Sequence, residues 1–540
     1  MTKTVVLLIL DGWGIARDYE GNAITRANLP NFQRLMKQFP HGKLSASGEA
    51  VGLPRNEVGN TETGHLNLGA GFIVYQDLPR INMAIADGSF FKNETLLAAI
   101  DHARKNNSAL HLMGLIGSGG VHANNEHLFA LLMLCAEERL TNVVIHLFTD
   151  GRDSPPTVAL DYVTRVEKEL ERHQFGTIGS ITGRYFAMDR DFRWERTLAA
   201  YHVLTDGVGP IFSSAEELIN QSYKAGSTDE FIKPSLIKDK KGALHTIHDH
   251  DSVVFYNFRI DRPRQLTKSF VFDDFESEIL GEARQGGVLP FFNLFAGRKR
   301  TLERGKKLED LYFVTMTEYE RGLPVHVAFP KITVSNPIGK VIADHGLRQL
   351  RVAESEKERF VTYYFNGQRE MPFIGEERRI IQSLKVATYD KAPHMRTAEI
   401  GDAIIAALNE QAYNAIIANI AGPDMVGHTG VLSAAVRAVE IVDEMLGKLV
   451  EAIIQHSAIL LITADHGNVE EMINFHTGEM NTEHSENLVP LIAVASELQG
   501  KPFELRDGIL SDVAPTILAK LGLEKPREMT GRNILEDISR

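Results

Sequence analysis

Short, unbroken apolar runs that alternate with amphipathic stretches constrain this chain more than any other feature. Val5-Val-Leu-Leu-Ile-Leu10 and Ala458-Ile-Leu-Leu-Ile-Thr-Ala464 are too short to cross a membrane and too continuous to be half-exposed strands. Runs of that kind are strands buried on both faces, and they call for a parallel-rich sheet covered by helices. The same reading places strands near 5–10, 109–116, 143–149, 254–257, 415–421 and 458–464. It places amphipathic helices near 125–138, 156–172, 432–455 and 511–521. The β-α-β rhythm predicts an α/β fold with sheets sandwiched by helices. At 540 residues the chain is too long for one compact core, so two domains are expected. The stretch 276–310, with Gly286-Gly287, Arg298-Lys-Arg300 and Arg304-Gly-Lys-Lys307, is unlike its surroundings and reads as a surface insertion or mobile loop.

Composition narrows the function classes. A hydrophobic content of 43% and a charged content of 24% suit a soluble globular enzyme. The net charge of −13 argues against a general nucleic-acid or membrane-surface role, although local arginines can still bind a small anion. Cys135 is the sole cysteine, so neither an internal disulfide nor a cysteine metal cage can form. Its apolar helical setting predicts a buried core thiol. With no signal peptide and no long apolar run, a cytoplasmic protein is expected.

Acids and histidines cluster where strands end. Asp11 follows the first apolar run, and Asp465-His466 follows Ala458–Ala464. Side chains at the carboxyl ends of such strands face the ligand crevice of an α/β sheet. Asp424 and His428 are four residues apart, a spacing that puts both on one face of a helical turn. His484 lies in a polar loop, with His476 a competitor for the same role. Oxygen and imidazole donors suit manganese, zinc or magnesium and disfavour soft-metal chemistry. The competing reading is that these groups cap helices and satisfy buried polar atoms. Two cations can clamp the attacking and leaving oxygens of a slow phosphoryl transfer, which would then need a hydroxyl nucleophile. Gly59-Asn-Thr-Glu-Thr-Gly-His65 offers Thr61 ahead of an expected helix whose N-terminal amides suit phosphate. Read alone, Thr61 also suits a helix cap.

The middle of the chain is rich in arginines of another kind. Arg152-Asp153 follows a strand, Arg184 and Arg190 flank an aromatic turn, and Arg259 and Arg262 stand three apart around Asp261. Guanidinium forks match carboxylate and phosphate oxygens. Each alone could be a solvated ion pair; grouped in short loop motifs they read as an anion site, with His122 and Asp153 offering contacts to hydroxyls.

These strings resemble the signature set of the cofactor-independent phosphoglycerate mutases, members of the alkaline phosphatase superfamily. The likeness is carried by Leu10-Asp-Gly-Trp-Gly14, Gly59–His65, Pro423-Asp-Met-Val-Gly-His428, Thr463-Ala-Asp-His-Gly-Asn468 and Thr482-Glu-His484. In the middle it is carried by Gly119-Gly-Val-His122, Asp150-Gly-Arg-Asp153, Gly183–Arg190, Asn257-Phe-Arg-Ile-Asp-Arg262 and Glu354-Ser-Glu-Lys357. It runs from about residue 3 to about 535, broken mainly near 276–310.

The resemblance implies an alkaline-phosphatase-like metal domain, 1–76 with 331–540, interrupted by an inserted α/β substrate-binding domain, 77–330; two chain connections, near 76–77 and 329–331, are then expected to hinge and close a cleft. It implies that Asp424, His428 and His484 hold one divalent ion and that Asp11, Asp465 and His466 hold the other. Thr61 would bridge to the phosphoryl group as nucleophile, positioned with help from Asn60. Manganese is the expected metal, with zinc or magnesium as alternatives and no 2,3-bisphosphoglycerate needed. His122, Arg152, Asp153, Arg184, Arg190, Arg259 and Arg262 would bind the phosphoglycerate, and Lys357 the phosphoryl group. The implied activity is interconversion of 3-phosphoglycerate and 2-phosphoglycerate by a monomer with no nucleic-acid or membrane partner. A metal-dependent phosphohydrolase, a sugar-phosphate mutase and a catalytically silent binding protein are the other readings. Thr61 stands where the family usually has serine, Thr63 where it has valine, and Ile260 where proline is usual; Asn124-Asn-Glu126 also departs from the pattern. A related superfamily member, phosphopentomutase, works through a phosphothreonine.

Overall fold

In a computed structural model of the chain, residues 3–277, 279, 303–475 and 477–539 are described. The expected insertion at 276–310 falls largely outside them, as does His476. The chain divides into two compact units, Met1–Pro79 with Ile332–Arg540, and Arg80–Lys331. The first seam falls inside the helix Asp77–Asp87 rather than at its start, three residues past the expected 76/77; the second lies one residue past 330/331.

Among the described residues, sixteen strands are laid down in chain order. The first unit begins with β1 (Val5–Leu10) and β2 (His41–Ser45). The second unit supplies β3 (Leu110–Ile116), β4 (Val143–Thr149), β5 (Thr177–Gly183), β6 (Ile211–Phe212), β7 (Ser235–Ile237), β8 (Ser252–Phe255), β9 (Tyr312–Thr317) and β10 (His326–Phe329). The first unit then resumes with β11 (Gln349–Glu354), β12 (Glu376–Ile381), β13 (Ala415–Ile420), β14 (Ile459–Thr463), β15 (Val489–Val494) and β16 (Gly508–Ile509).

In the first unit an eight-stranded sheet has the order β12-β11-β13-β1-β14-β15-β2-β16. The five strands from β12 to β14 are mutually parallel, and β15 turns antiparallel against both β14 and β2. Every residue of β1, β13, β14 and β15 is buried. That is the property their continuous apolar sequence demands, and helices such as Thr397–Glu410 and Leu432–Gln455 supply the covering layer. In the second unit the order is β10-β9-β8-β3-β4-β5-β7-β6, parallel except where β7 meets β5. Strands β3 and β4 are buried throughout. Cys135 is buried on the helix Asn125–Glu137, and burial pushes its thiol up to about 12. Among the described residues no helix is long and apolar enough to cross a membrane.

A buried acid and histidine centre in the first unit

Parallel strands deliver the reactive groups of the first unit at their carboxyl ends. Asp11 follows β1, Asp465 and His466 follow β14, and Asp424 lies on the short helix Gly422–Gly427 just past β13. All four side chains are buried. The helix Thr61–Ala70 enters the same place with Thr61 as its first residue. The capping role open to Thr61 falls to Asn60 instead, whose Oδ1 accepts the Thr63 N–H at 2.9 Å. Thr61 is therefore free to present its hydroxyl, 2.9 Å from His466 Nε2 and 3.1 Å from Lys357 Nζ. Thr63 turns away, and its hydroxyl donates to Asn60 Oδ1 at 3.0 Å.

Lys357 is buried at the heart of the cluster. Its ammonium donates to Asp424 Oδ2 at 2.7 Å and to Asp11 Oδ1 at 2.9 Å. Burial works against that charge, but Asp11 and Asp424 carry the ammonium above its ordinary range. Burial would raise the Asp424 carboxyl, yet Lys357 holds it well below the usual range. His466 is pushed up to about 9, because Asp465 and Asp11 outweigh its burial.

Two donor sets converge here: Asp11, Asp465 and His466, and Asp424, His466 and His484, with the ligand atoms of each set within 4.8 Å of one another. His428 joins the second, its Nε2 lying 3.3 Å from Asp424 Oδ1 and 3.1 Å from His484 Nε2. Cations fit both sets. His428 Nδ1 and His484 Nδ1 donate to the carbonyls of Thr482 and Gly59 at 2.7 and 2.8 Å. In the neutral rings this leaves two Nε2 lone pairs facing each other beside a carboxylate, a contact that a bound cation relieves. Asp465 is fully buried and neither of its oxygens accepts a well-formed hydrogen bond; His65 Nδ1 and His466 Nε2 lie 3.2 and 3.5 Å from its Oδ2. Unpaired buried carboxylate oxygens are costly, and a metal ion would satisfy them.

The arginine motifs lie together in the second unit, after β3, β4, β5 and β8. Arg184 is buried and its Nη1 donates to both Asp150 and Asp153 at 2.5 Å. Asp261 accepts from Arg190 Nη1 at 2.7 Å and pairs with Arg259 Nε at 3.2 Å. His122 is buried between Asp153 and Asp261, 3.6 and 3.7 Å away, with its carbonyl accepting the Phe258 N–H. Burial, then the Arg184 charge, lowers the His122 imidazole to about 4, so it is neutral at pH 7. Arg262 Nη1 donates to the Met188 carbonyl at 3.2 Å. Burial and the charges of Arg184, Arg190 and Arg152 lower its pKa, the mark of cations crowded around a place for an anion. Arg152 pairs loosely with Glu230 at 3.7 Å.

Comparison with known proteins decides the family. Residues 81–321 match the family model described as the BPG-independent PGAM N-terminus. The chain is 49% identical over 535 residues to the 2,3-bisphosphoglycerate-independent phosphoglycerate mutase of Moorella thermoacetica, covering 99% of both chains. It is 46% identical to that of Clostridium beijerinckii, again covering 99% of both. The chain belongs to the 2,3-bisphosphoglycerate-independent phosphoglycerate mutase family. A crystal structure of Leishmania mexicana phosphoglycerate mutase at low cobalt concentration is similar to it at 27% identity, with a TM-score of 0.54, covering 98% of this chain and 97% of that one.

Within this member of the family, three polar side chains sit behind the reactive groups, and spacing alone did not single them out. Asn419, buried at the end of β13, donates to Asp11 Oδ2 at 2.7 Å and meets His65 Nε2 at 3.1 Å. His65 in turn lies against the Thr61 carbonyl at 3.0 Å and against Asp465. Asn468 Nδ2 donates to Asp424 Oδ1 at 3.2 Å. A signal was available for Asn419, the one polar residue in the otherwise apolar Ala415–Ile420.

Proposed function

We propose that this mutase-family chain interconverts 3-phosphoglycerate and 2-phosphoglycerate through a phosphoenzyme on Thr61. The observation that carries the reading is the Thr61 hydroxyl, released from capping by Asn60 and held by His466 and Lys357 among buried carboxylates. Asp424, His428 and His484 hold one divalent ion; Asp11, Asp465 and His466 hold the other; manganese is the metal we expect, ahead of zinc and magnesium. When bound, such ions neutralise phosphoryl oxygens and lower the pKa of a nearby hydroxyl.

Thr61 Oγ attacks phosphorus in line as the bond to the glycerate oxygen breaks. Its proton passes to the departing oxygen, leaving phosphothreonine and glycerate. Lys357 steadies Thr61 Oγ, and the N-terminal amides of Thr61–Ala70 favour the added phosphate. Arg152, Arg184, Arg190, Arg259 and Arg262, with neutral His122 and Asp153, bind the anionic substrate and retain glycerate until its other hydroxyl takes the phosphoryl group back. No diphosphorylated cofactor is consumed, since the donor phosphate returns. All these residues belong to one chain, so the reading needs no second subunit, and a cytoplasmic location suits the substrate.

Product analysis without 2,3-bisphosphoglycerate tests this. 2-Phosphoglycerate formed from 3-phosphoglycerate, with little free phosphate, is the expected result. Phosphate release without isomer would make the chain a phosphohydrolase, isomerisation of sugar phosphates alone a sugar-phosphate mutase, and no turnover with metal present a silent binder.

A further inference from the structure

We infer that Glu470 is a positioning residue that fastens together the three loops bearing Asp11, Asp465 with His466, and His484, and thereby sets the centre's affinity for divalent ions. The inference rests on the dimetal reading above. Glu470 is fully buried in the turn Val469–Glu471. Its Oε2 accepts the Gly14 N–H and the Asn468 N–H, both at 2.9 Å. Its Oε1 accepts the Ser485 hydroxyl and, at 3.0 Å, the Asn487 amide. Gly14 lies three residues beyond Asp11, Asn468 two beyond His466, and Ser485 one beyond His484. One carboxylate thus ties the exits of three ligand-bearing loops drawn from distant parts of the chain. The tie reaches Asp424 as well, through the Asn468 side chain.

The same approach shows sterically. A Cβ on Gly14 would lie 2.3 Å from Glu470 Cδ, and one on Gly467 would lie 2.3 Å from Glu470 Oε1. Neither glycine has a left-handed φ, so the space is taken by side chains, Glu470 at Gly14 and Glu470 with the Ser485 hydroxyl at Gly467, rather than ruled out by backbone conformation. Burying a carboxylate costs free energy that a mere filler of the loop junction would not require. Metal affinity depends on ligand spacing, and groups that orient ligands typically change it by about 10- to 100-fold when removed.

The test is calorimetric titration of metal-free, full-length protein with manganese, alongside thermal melts of the same metal-free samples. Glu470→Ala should bind manganese at least about 10-fold more weakly. Glu470→Gln should show a smaller loss, because its amide oxygen can still accept the Gly14 and Asn468 N–H groups while its NH2 faces the Ser485 side. Turnover of both should recover as manganese is raised, with the KM for phosphoglycerate at saturating metal unchanged. Ser485→Ala, which removes a single donor, should weaken binding several-fold and decides the matter if the Glu470 variants do not fold. Wild-type manganese affinity in Glu470→Gln and Ser485→Ala, with only a lowered melting temperature, would make Glu470 a structural residue and overturn the inference. If the wild-type chain itself takes up no divalent ion, the dimetal reading fails first and this inference with it.

Discussion

Thr61 and Thr63 occupy the same helical turn and have been given opposite tasks. Thr61 faces His466 and Lys357, while Thr63 returns its hydroxyl to Asn60. Thr61→Ala should abolish isomerisation and keep bound metal, measured by coupled assay and metal analysis. Thr61→Ser should stay active, since only a methyl is lost. Thr63→Ala should retain most turnover and lose about 1 kcal/mol of stability with its hydrogen bond. Arg262 belongs to the same scale. Surrounded by Arg184, Arg190 and Arg152, it has no carboxylate partner at hydrogen-bond distance among the described residues, and its pKa is lowered. Arg262→Ala should reduce kcat/KM on the order of 100-fold, about 2.7 kcal/mol, without unfolding the protein. Arg262→Lys should rescue poorly because the fork is lost. Residue identity was legible where motifs are long: Asp11, Asp424, His428, Asp465, His466 and His484 do converge. Asn468 and Glu470 act through hydrogen bonds closed only by the fold, which sequence spacing does not record; Asn419 left only its polarity within an apolar strand as a sign.

At the scale of elements, apolar runs located β1, β3, β4, β13 and β14 to within a residue. Strand β5, Thr-Ile-Gly-Ser-Ile-Thr-Gly, was missed because it buries polar atoms. Strand β11 carries Gln349, Arg351 and Glu354 inward, and β12 begins Glu-Glu-Arg-Arg at a sheet edge. Polar burial also gives the second unit a pH signature. His146 Nε2 and His111 Nδ1 meet at 2.9 Å across β4 and β3, between Asp251 on one side and Ser180 on the other. Burial lowers the imidazoles of His111 and His146, that of His122 to about 4 and that of His127 to about 3. Between about pH 6.5 and 4 the unfolded chain binds protons that the folded one refuses, so folding stability must fall as pH falls through that window. Urea unfolding of the full chain should show lower stability at pH 5 than at pH 7.5, with a loss on the order of 2 kcal/mol each from His122 and His127 and a further loss from His111 and His146. His127→Gln should flatten that dependence; an unchanged slope would contradict the account.

At the scale of the molecule, the discontinuous unit carries Thr61, Lys357 and the acid and histidine cluster, and the intervening unit carries the arginine loops. That division was visible as two chemistries in the sequence. The seams were not resolved to the residue, because a helix, Asp77–Asp87, runs through the first of them. Divalent ions should stabilise the folded chain: manganese at about 100 times its Kd adds about 2.7 kcal/mol, read as a rise in Tm. Thorough chelation should abolish turnover and manganese restore it; full activity in metal-free protein would contradict the dimetal centre. The central claim is the covalent one. Metal-loaded protein mixed with 3-phosphoglycerate, without bisphosphate, should be quenched during turnover and its phosphopeptides mapped. The account predicts phosphate on Thr61, at a level that Thr61→Ala abolishes, together with 2-phosphoglycerate as product. Phosphate on Thr63, or brisk isomerisation by Thr61→Ala, would contradict it.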